Sequence, residues 1–187
     1  MQRLRRAGYE RMPWKNGQGS TEEVIVFPPG SDIASFGWRL SIAHVGADGP
    51  FSSFAGIDRT IALLDGPGLF LDLPDETVEL GLRTDPFVFS GDLKISSRNK
   101  GGATIDLNIM TRRGQFRHKM TRIRGGIIEI GAPGTILVFN EAATLYCGDQ
   151  SVDVDRFDTL IADPADGKLR VPPGTDMLVI EVTALPR

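Results

Sequence analysis

One cysteine, Cys147, stands among 187 residues, so no internal disulfide can form, and this usage fits a reducing compartment. Histidine is nearly as scarce. His44 and His118 lie far apart, with no H-x-H or H-x3,4-E pattern, which excludes a three-histidine metal site. No C-x-x-C pair, nucleophile elbow, phosphate loop or dinucleotide fingerprint is present, and no Gly-rich piece follows a strand and opens a helix. No cofactor is therefore expected. No apolar run approaches bilayer-spanning length, and the opening MQRLRRAGYERMPWKNG lacks the apolar centre of a secretory signal, so a cytoplasmic protein is expected. A net charge of -3 gives no global attraction to nucleic acid or to a membrane surface, and neither is expected as a partner. Long amphipathic helices are missing too: no i, i+3, i+4 apolar stripe exceeds about three turns.

What remains is the composition of a soluble globular chain, 41% apolar and 24% charged, with 22 Gly and 12 Pro that favour short strands and frequent turns. The stretch Asp48 to Leu73 organises the reading. Phe51 and Phe54 sit among turn residues, and two short apolar runs, Ile61 to Leu64 and Leu69 to Leu73, flank Asp65-Gly66-Pro67-Gly68, which predicts a β-hairpin. Leu4 to Met12 reads as an edge strand or irregular lead-in, Trp14 to Thr21 as an irregular loop, and Glu23 to Phe27 as a poorly alternating strand ended by Pro28-Pro29-Gly30. Phe36 to Val45 alternates well, with Trp38, Leu40, Ile42 and His44 on one face and Arg39, Ser41 and Ala43 on the other. Strands also follow at Thr77 to Leu82 and from Pro86 to Asp92, whereas the polar, Gly-rich Ser96 to Ala103 reads as a mobile loop. Thr104 to Thr111 alternates again and puts Asp106, Asn108 and Met110 on one face. From Phe116 onward short strands succeed one another at sandwich or barrel spacing: Lys119 to Arg124, Ile127 to Ile130, Thr135 to Asn140, Ala143 to Cys147, Asp158 to Ala162, Lys168 to Val171 and Met177 to Thr183. The expected class is all-β.

Five strings occur in order: Pro13-Trp14-Lys15-Asn16-Gly17-x-Gly19-x-Thr21; Trp38-Arg39-Leu40-Ser41-x-Ala43; Asp48-Gly49-Pro50-Phe51-Ser52-x-Phe54-x-Gly56-x-Asp58-Arg59; Pro86-Phe87-x-Phe89-x-Gly91-Asp92; and Asp106-x-Asn108-x-Met110-x-Arg112-Arg113-Gly114. Together they resemble the HutD/Ves family. The resemblance implies an RmlC-like cupin, a two-lobed, bicupin-like antiparallel β-barrel or jelly roll forming a single domain, with an N-terminal lobe of about 1–114 carrying the pocket and a C-terminal lobe of 115–187. It also implies a role beside histidine catabolism, in which a small pathway metabolite is bound and flux restrained, without established catalysis. Gln18 and Glu22 stand where the family usually has Gly and Arg, so a negative charge replaces a positive one at position 22.

Trp14, Lys15 and Asn16 offer a flat apolar wall, a cation and a donor-acceptor pair from one loop; the alternative is a self-satisfied turn with Trp14 plugging a barrel end. Arg39 suits a bidentate clamp on a carboxylate or else an ion pair with Asp58 or Asp106. Asp58-Arg59 reads as a pair fixing loop geometry. Asn108 and Met110, sharing a face with Asp106, suit a lumen, and Phe51 and Phe54 suit its rim. His44 reads as a hydrogen-bonded core or rim residue, His118 as part of a solvated basic strand, and Cys147 as a small buried hydrophobe. The leading expectation is a non-catalytic binder of a small anionic metabolite, for which the resemblance suggests urocanate or formylglutamate. Its ligand residues are Trp14, Lys15, Asn16, Arg39, Ser41, Phe51, Phe54, Asn108 and Met110, and a homodimer is expected by analogy. The alternatives are a metal-independent isomerase or hydrolase using Asp106, Asp58 or His44 as base, and an interaction module with a closed lumen.

Overall fold

The computed structural model describes residues 1–186, and strands account for nearly all of its regular structure. In chain order, β1 (Gln2–Leu4) and a 3-10 turn at Arg6–Gly8 lead in. Then come β2 (Glu10–Pro13), β3 (Gly19–Phe27), β4 (Trp38–Val45), β5 (Gly49–Pro50), β6 (Ile57–Asp65) and β7 (Leu69–Asp72). They are followed by β8 (Thr77–Leu80), β9 (Phe87–Ser90), β10 (Ser96–Asn99) and β11 (Thr104–Arg112). The remainder is β12 (Phe116–Glu129), β13 (Thr135–Phe139), β14 (Ala143–Cys147), β15 (Gln150–Val154), β16 (Thr159–Ala162), a second 3-10 turn at Pro164–Asp166, and β17 (Lys168–Ala184).

The chain divides into two compact units. One holds Glu10–Arg117 with residues 184–186, and the other holds Met1–Tyr9 with His118–Thr183. The first nine residues, expected with the N-terminal lobe, fold with the C-terminal unit because β1 pairs with β16. There Arg3 also binds the buried carboxylate of Asp158 through Nε at 2.9 Å. The sheet of this unit runs β1-β16-β13-β17-β14-β15, with β12 on β17, over a core of Leu137, Phe139, Leu145, Leu160, Leu169 and Met177. Its two long strands absorb segments expected to be separate: β12 runs through Gly125-Gly126, and β17 runs through Pro172-Pro173-Gly174. Cys147 is half-buried, its thiol donating to the Asp166 carbonyl.

The other unit contains two antiparallel sheets, β2-β3-β4-β11-β6-β9 and β5-β10-β7-β8. Side chains from both, among them Ile61, Leu63, Leu69, Leu71, Leu80 and Phe89, form one apolar cluster. Here the expected hairpin does not form. β6 pairs with β11 and β9, while β7 pairs with β10 and β8, so Asp65-Gly66-Pro67-Gly68 is a corner between sheets. Gly66, at φ +98, passes so close that a Cβ would lie 2.6 Å from the Ala103 carbonyl oxygen. Ser96 to Ala103 is likewise not all loop, since Ser96–Asn99 is β10, paired on both edges.

Candidate functional site

Alternation along four neighbouring strands sends Thr21 of β3, Arg39, Ser41 and Ala43 of β4, Asp106, Asn108 and Met110 of β11, and Arg59 of β6 toward one cavity of about 530 Å³. Its rim comes from the 13–18 bend, the 49–54 segment and Ser97. Every residue expected to bind ligand, from Trp14, Lys15 and Asn16 through Arg39, Ser41, Phe51 and Phe54 to Asn108 and Met110, lines it.

The rim is built by local bonding. Trp14 Nε1 donates to Thr21 Oγ1 at 2.8 Å, and the Trp14 ring covers Gly19, where a Cβ would come within 2.7 Å of it. Asn16 Oδ1 accepts from the Gln18 amide at 3.1 Å, so this residue both closes its own turn and faces the cavity. The irregular part of the loop is shorter than expected, because Gly19 already begins β3. Lys15 is exposed, a rim cation rather than a central one.

The floor corrects three expectations. Arg39 pairs with neither Asp58 nor Asp106; its Nε donates to Glu23 Oε2 at 2.7 Å. A bulge between Glu23 and Ile25 sets Glu23 opposite Ser41 and hence on the Arg39 side of the sheet. Asp58 and Arg59 do not pair with each other either. Asp58 accepts from Arg113 at 2.8 Å, and Arg113 also binds Asp92 at 2.8 Å, an exposed network at the strand ends. His44 and Asp58 lie off the cavity, so neither is placed as a base for chemistry inside it. His44 Nε2 is 2.9 Å from Oε1 of the buried Glu22, on the opposite face of β4, where a second, more open depression lies.

Arg59 is the cation on the floor. It is buried, its guanidinium carbon lies 5.1, 5.3 and 4.9 Å from the ring centroids of Phe51, Phe54 and Phe89, and Nη1 donates to the Ser52 carbonyl at 2.9 Å. Its Nε reaches Asn108 Oδ1 at 3.5 Å, a long contact. Among the described residues no carboxylate lies within ion-pair distance of it. Burial lowers its pKa to about 10, which leaves it charged at neutral pH, with Asp106 opposing the fall. Asp106 itself is 1% exposed, neither carboxyl oxygen has a hydrogen-bond partner among the described residues, and burial raises its pKa to about 7 against the attraction of Arg59. Arg59 does fix loop geometry, through its bond to the Ser52 carbonyl, but it also stands on the cavity floor, and its place two residues before Ile61 on an inward-facing β6 row is the sequence signal for that. No cluster of three His, Cys, Asp or Glu side chains suited to a metal occurs among the described residues. No helix among them is long and apolar enough to cross a membrane.

The HutD family model matches residues 6–179. An uncharacterised 21.2 kDa protein in the hutC 3′ region of Pseudomonas putida is 39% identical over 156 residues, covering 83% of this chain and 82% of that one. Protein Ves of Citrobacter koseri is 34% identical, covering 92% and 89%. Among solved structures, HutD from Pseudomonas fluorescens SBW25, in a formate condition, superposes with a TM-score of 0.81 at 33% identity, covering 99% of both chains. A cupin 2 conserved barrel protein from Leptotrichia buccalis, at 11% identity and a TM-score of 0.58, covering 93% of this chain and 96% of that one, shares the fold alone.

Proposed function

Because the chain belongs to the HutD family and has a cupin fold, and because its cavity floor holds a buried guanidinium without a carboxylate partner, we propose that it binds a small carboxylate metabolite without transforming it. Arg59 carries the reading. A desolvated guanidinium surrounded by three phenylalanine rings gains most from an anion that replaces lost water, and its planar fork matches a carboxylate. The exposed Lys15 adds attraction at the rim, Asn16 and Asn108 add hydrogen bonds, and Trp14, Phe51, Phe54 and Met110 exclude water. We assign the ligand to histidine utilisation, with urocanate or formylglutamate as first choices, and the role to restraint of that pathway in the cytoplasm. The resemblance supports this, as does the position of the Pseudomonas putida relative in a hutC 3′ region.

The test is a thermal-shift and calorimetric screen of small carboxylates, since a ligand of the native state raises its melting temperature by mass action. Binders should stabilise the wild type and lose at least tenfold in affinity in Arg59→Gln, with a smaller loss in Lys15→Ala. No shift with any carboxylate, or equal affinity in Arg59→Gln, overturns the reading. One observation favours a second reading, a metal-independent enzyme: Asp106, with its pKa near 7, faces the same cavity as a poised base. Turnover of a bound carboxylate by metal-stripped protein, lost in Asp106→Asn, would select it.

A further inference from the structure

Buried polar side chains nearly always have partners, and a fully buried carboxyl with none calls for a physical account. Asp106 is such a group: both oxygens are enclosed, both lack a partner, and the side chain lines the cavity. Its neighbours on the sheet do not serve it. Directly across on β4 stands Ala43, which has no polar side chain, and on β6 stands Leu63. Arg59 is turned toward Asn108 and Ser52 instead.

Resting on the carboxylate reading above, we propose that Asp106 is a specificity-determining residue, accepting a hydrogen bond from an N–H group on the far end of the ligand from its carboxylate. Asn108, which Arg59 touches, and Asp106 are two residues apart on one face of β11, a step on the order of 7 Å. A ligand with its carboxylate on Arg59 and an N–H on Asp106 is therefore a small one, with only a few atoms between its two ends. The charges agree with this division. One floor group is cationic and one acidic, so a ligand with an acid at one end and an N–H donor at the other satisfies both, whereas a plain carboxylate satisfies Arg59 and leaves Asp106 without a partner. The aromatic walls, Trp14, Phe51 and Phe54, suit a flat ring between the two ends. Burial already holds Asp106 to about 7, so it is readily ionised by a donor brought against it.

The experiment uses two ring-matched probes, 3-(imidazol-4-yl)propanoate, which carries N–H, and 3-(furan-3-yl)propanoate, which does not. Their affinities are measured by calorimetry on the full chain as wild type, Asp106→Leu and Arg59→Gln. A hydrogen bond to a buried charged group predicts that wild type prefers the imidazole probe by about tenfold to a hundredfold. Asp106→Leu should erase that preference and leave furan affinity within about a factor of three of wild type, while Arg59→Gln should weaken both probes. Equal wild-type affinity for the two probes overturns the assignment of Asp106 and leaves the Arg59 reading standing. A preference surviving in Asp106→Leu also overturns it. Failure of the wild type to bind either probe overturns the assignment of Asp106, while the Arg59 reading falls only if the wider carboxylate screen also finds no binder. The wild-type comparison decides the matter even where Asp106→Leu does not fold.

Discussion

Arg39 Nε lies 2.7 Å from Glu23 Oε2, and this bond already gives the more obvious of the two floor arginines an acidic partner. Both arginines are buried and both line the cavity, yet only Arg59 lacks an acidic partner within ion-pair distance. The two should therefore fail differently. Arg39→Ala strands Glu23 and should cost about 1–3 kcal/mol of stability by urea unfolding. Carboxylate affinity should stay within about threefold of wild type, and a tenfold loss would mean that Arg39 grips the ligand as well.

Asp106 sets a pH dependence. Its pKa is about 7 in the folded chain against an ordinary 3.8, so between those values the native state holds a proton that the unfolded chain has released. Stability should fall as pH rises through this window, with a slope approaching about 1.4 kcal/mol per pH unit from this group, and level off above it. Asp72 and Asp92, each held to about 2, act in the other sense, with stability lost as the pH falls from 3.8 toward 2. Melting temperatures from pH 4 to 8 should show the Asp106 slope in wild type and a flatter profile in Asp106→Asn. Parallel profiles would place the proton elsewhere.

Trp14 should report occupancy. It lines the cavity and Trp38 does not, so in Trp38→Phe the emission comes from Trp14 alone. Saturating carboxylate should shift or quench that emission, and the Trp14→Phe protein should show no change with the same ligand. An equal response from both variants would point to a change remote from the cavity.

Gly19→Ala tests the support beneath that ring. A Cβ there would come 2.7 Å from the Trp14 ring and closer still to the His44 carbonyl oxygen, which backbone pairing holds in place. The expected cost is about 1–3 kcal/mol, with a red-shifted Trp14 spectrum as the indole is displaced. An unchanged spectrum would show that the ring does not rest on Gly19.

Asp58→Asn should do little. Its partner Arg113 keeps Asp92, and the network is exposed, so a loss under about 1 kcal/mol and unchanged carboxylate affinity are expected. A large loss of binding would show that Asp58 acts on the ligand despite lying off the cavity.

The sequence made the cavity floor legible wherever a strand kept its period of two. Arg39 with Ser41, and Asp106 with Asn108 and Met110, share faces as alternation requires. Where the period slips, the reading failed. The bulge at Glu23 and Ile25 scrambles the alternation of β3, and that slip hid the partner of Arg39. Asp65 to Gly68 has the residues of a tight turn, and whether such a turn joins paired strands or passes between sheets depends on distant partners such as β10 and β11. β10 itself was invisible because Ser96–Asn99 is held by backbone bonds on both edges, with Ser97 its one buried side chain. The place of Arg59 on the floor is hidden for a related reason: neighbouring residues on a strand point opposite ways, so a dipeptide that reads as one unit sends Asp58 to Arg113 and Arg59 to the cavity.

The pairing of β1 with β16 has a practical side. Trimming the amino terminus, or crowding it with an affinity tag, strips an edge from a sheet built of residues more than a hundred positions downstream and unseats Arg3 from Asp158. Harm to the amino end will thus surface as misfolding of carboxy-terminal sequence, and expression trials that shorten the front of the gene will blame the wrong half.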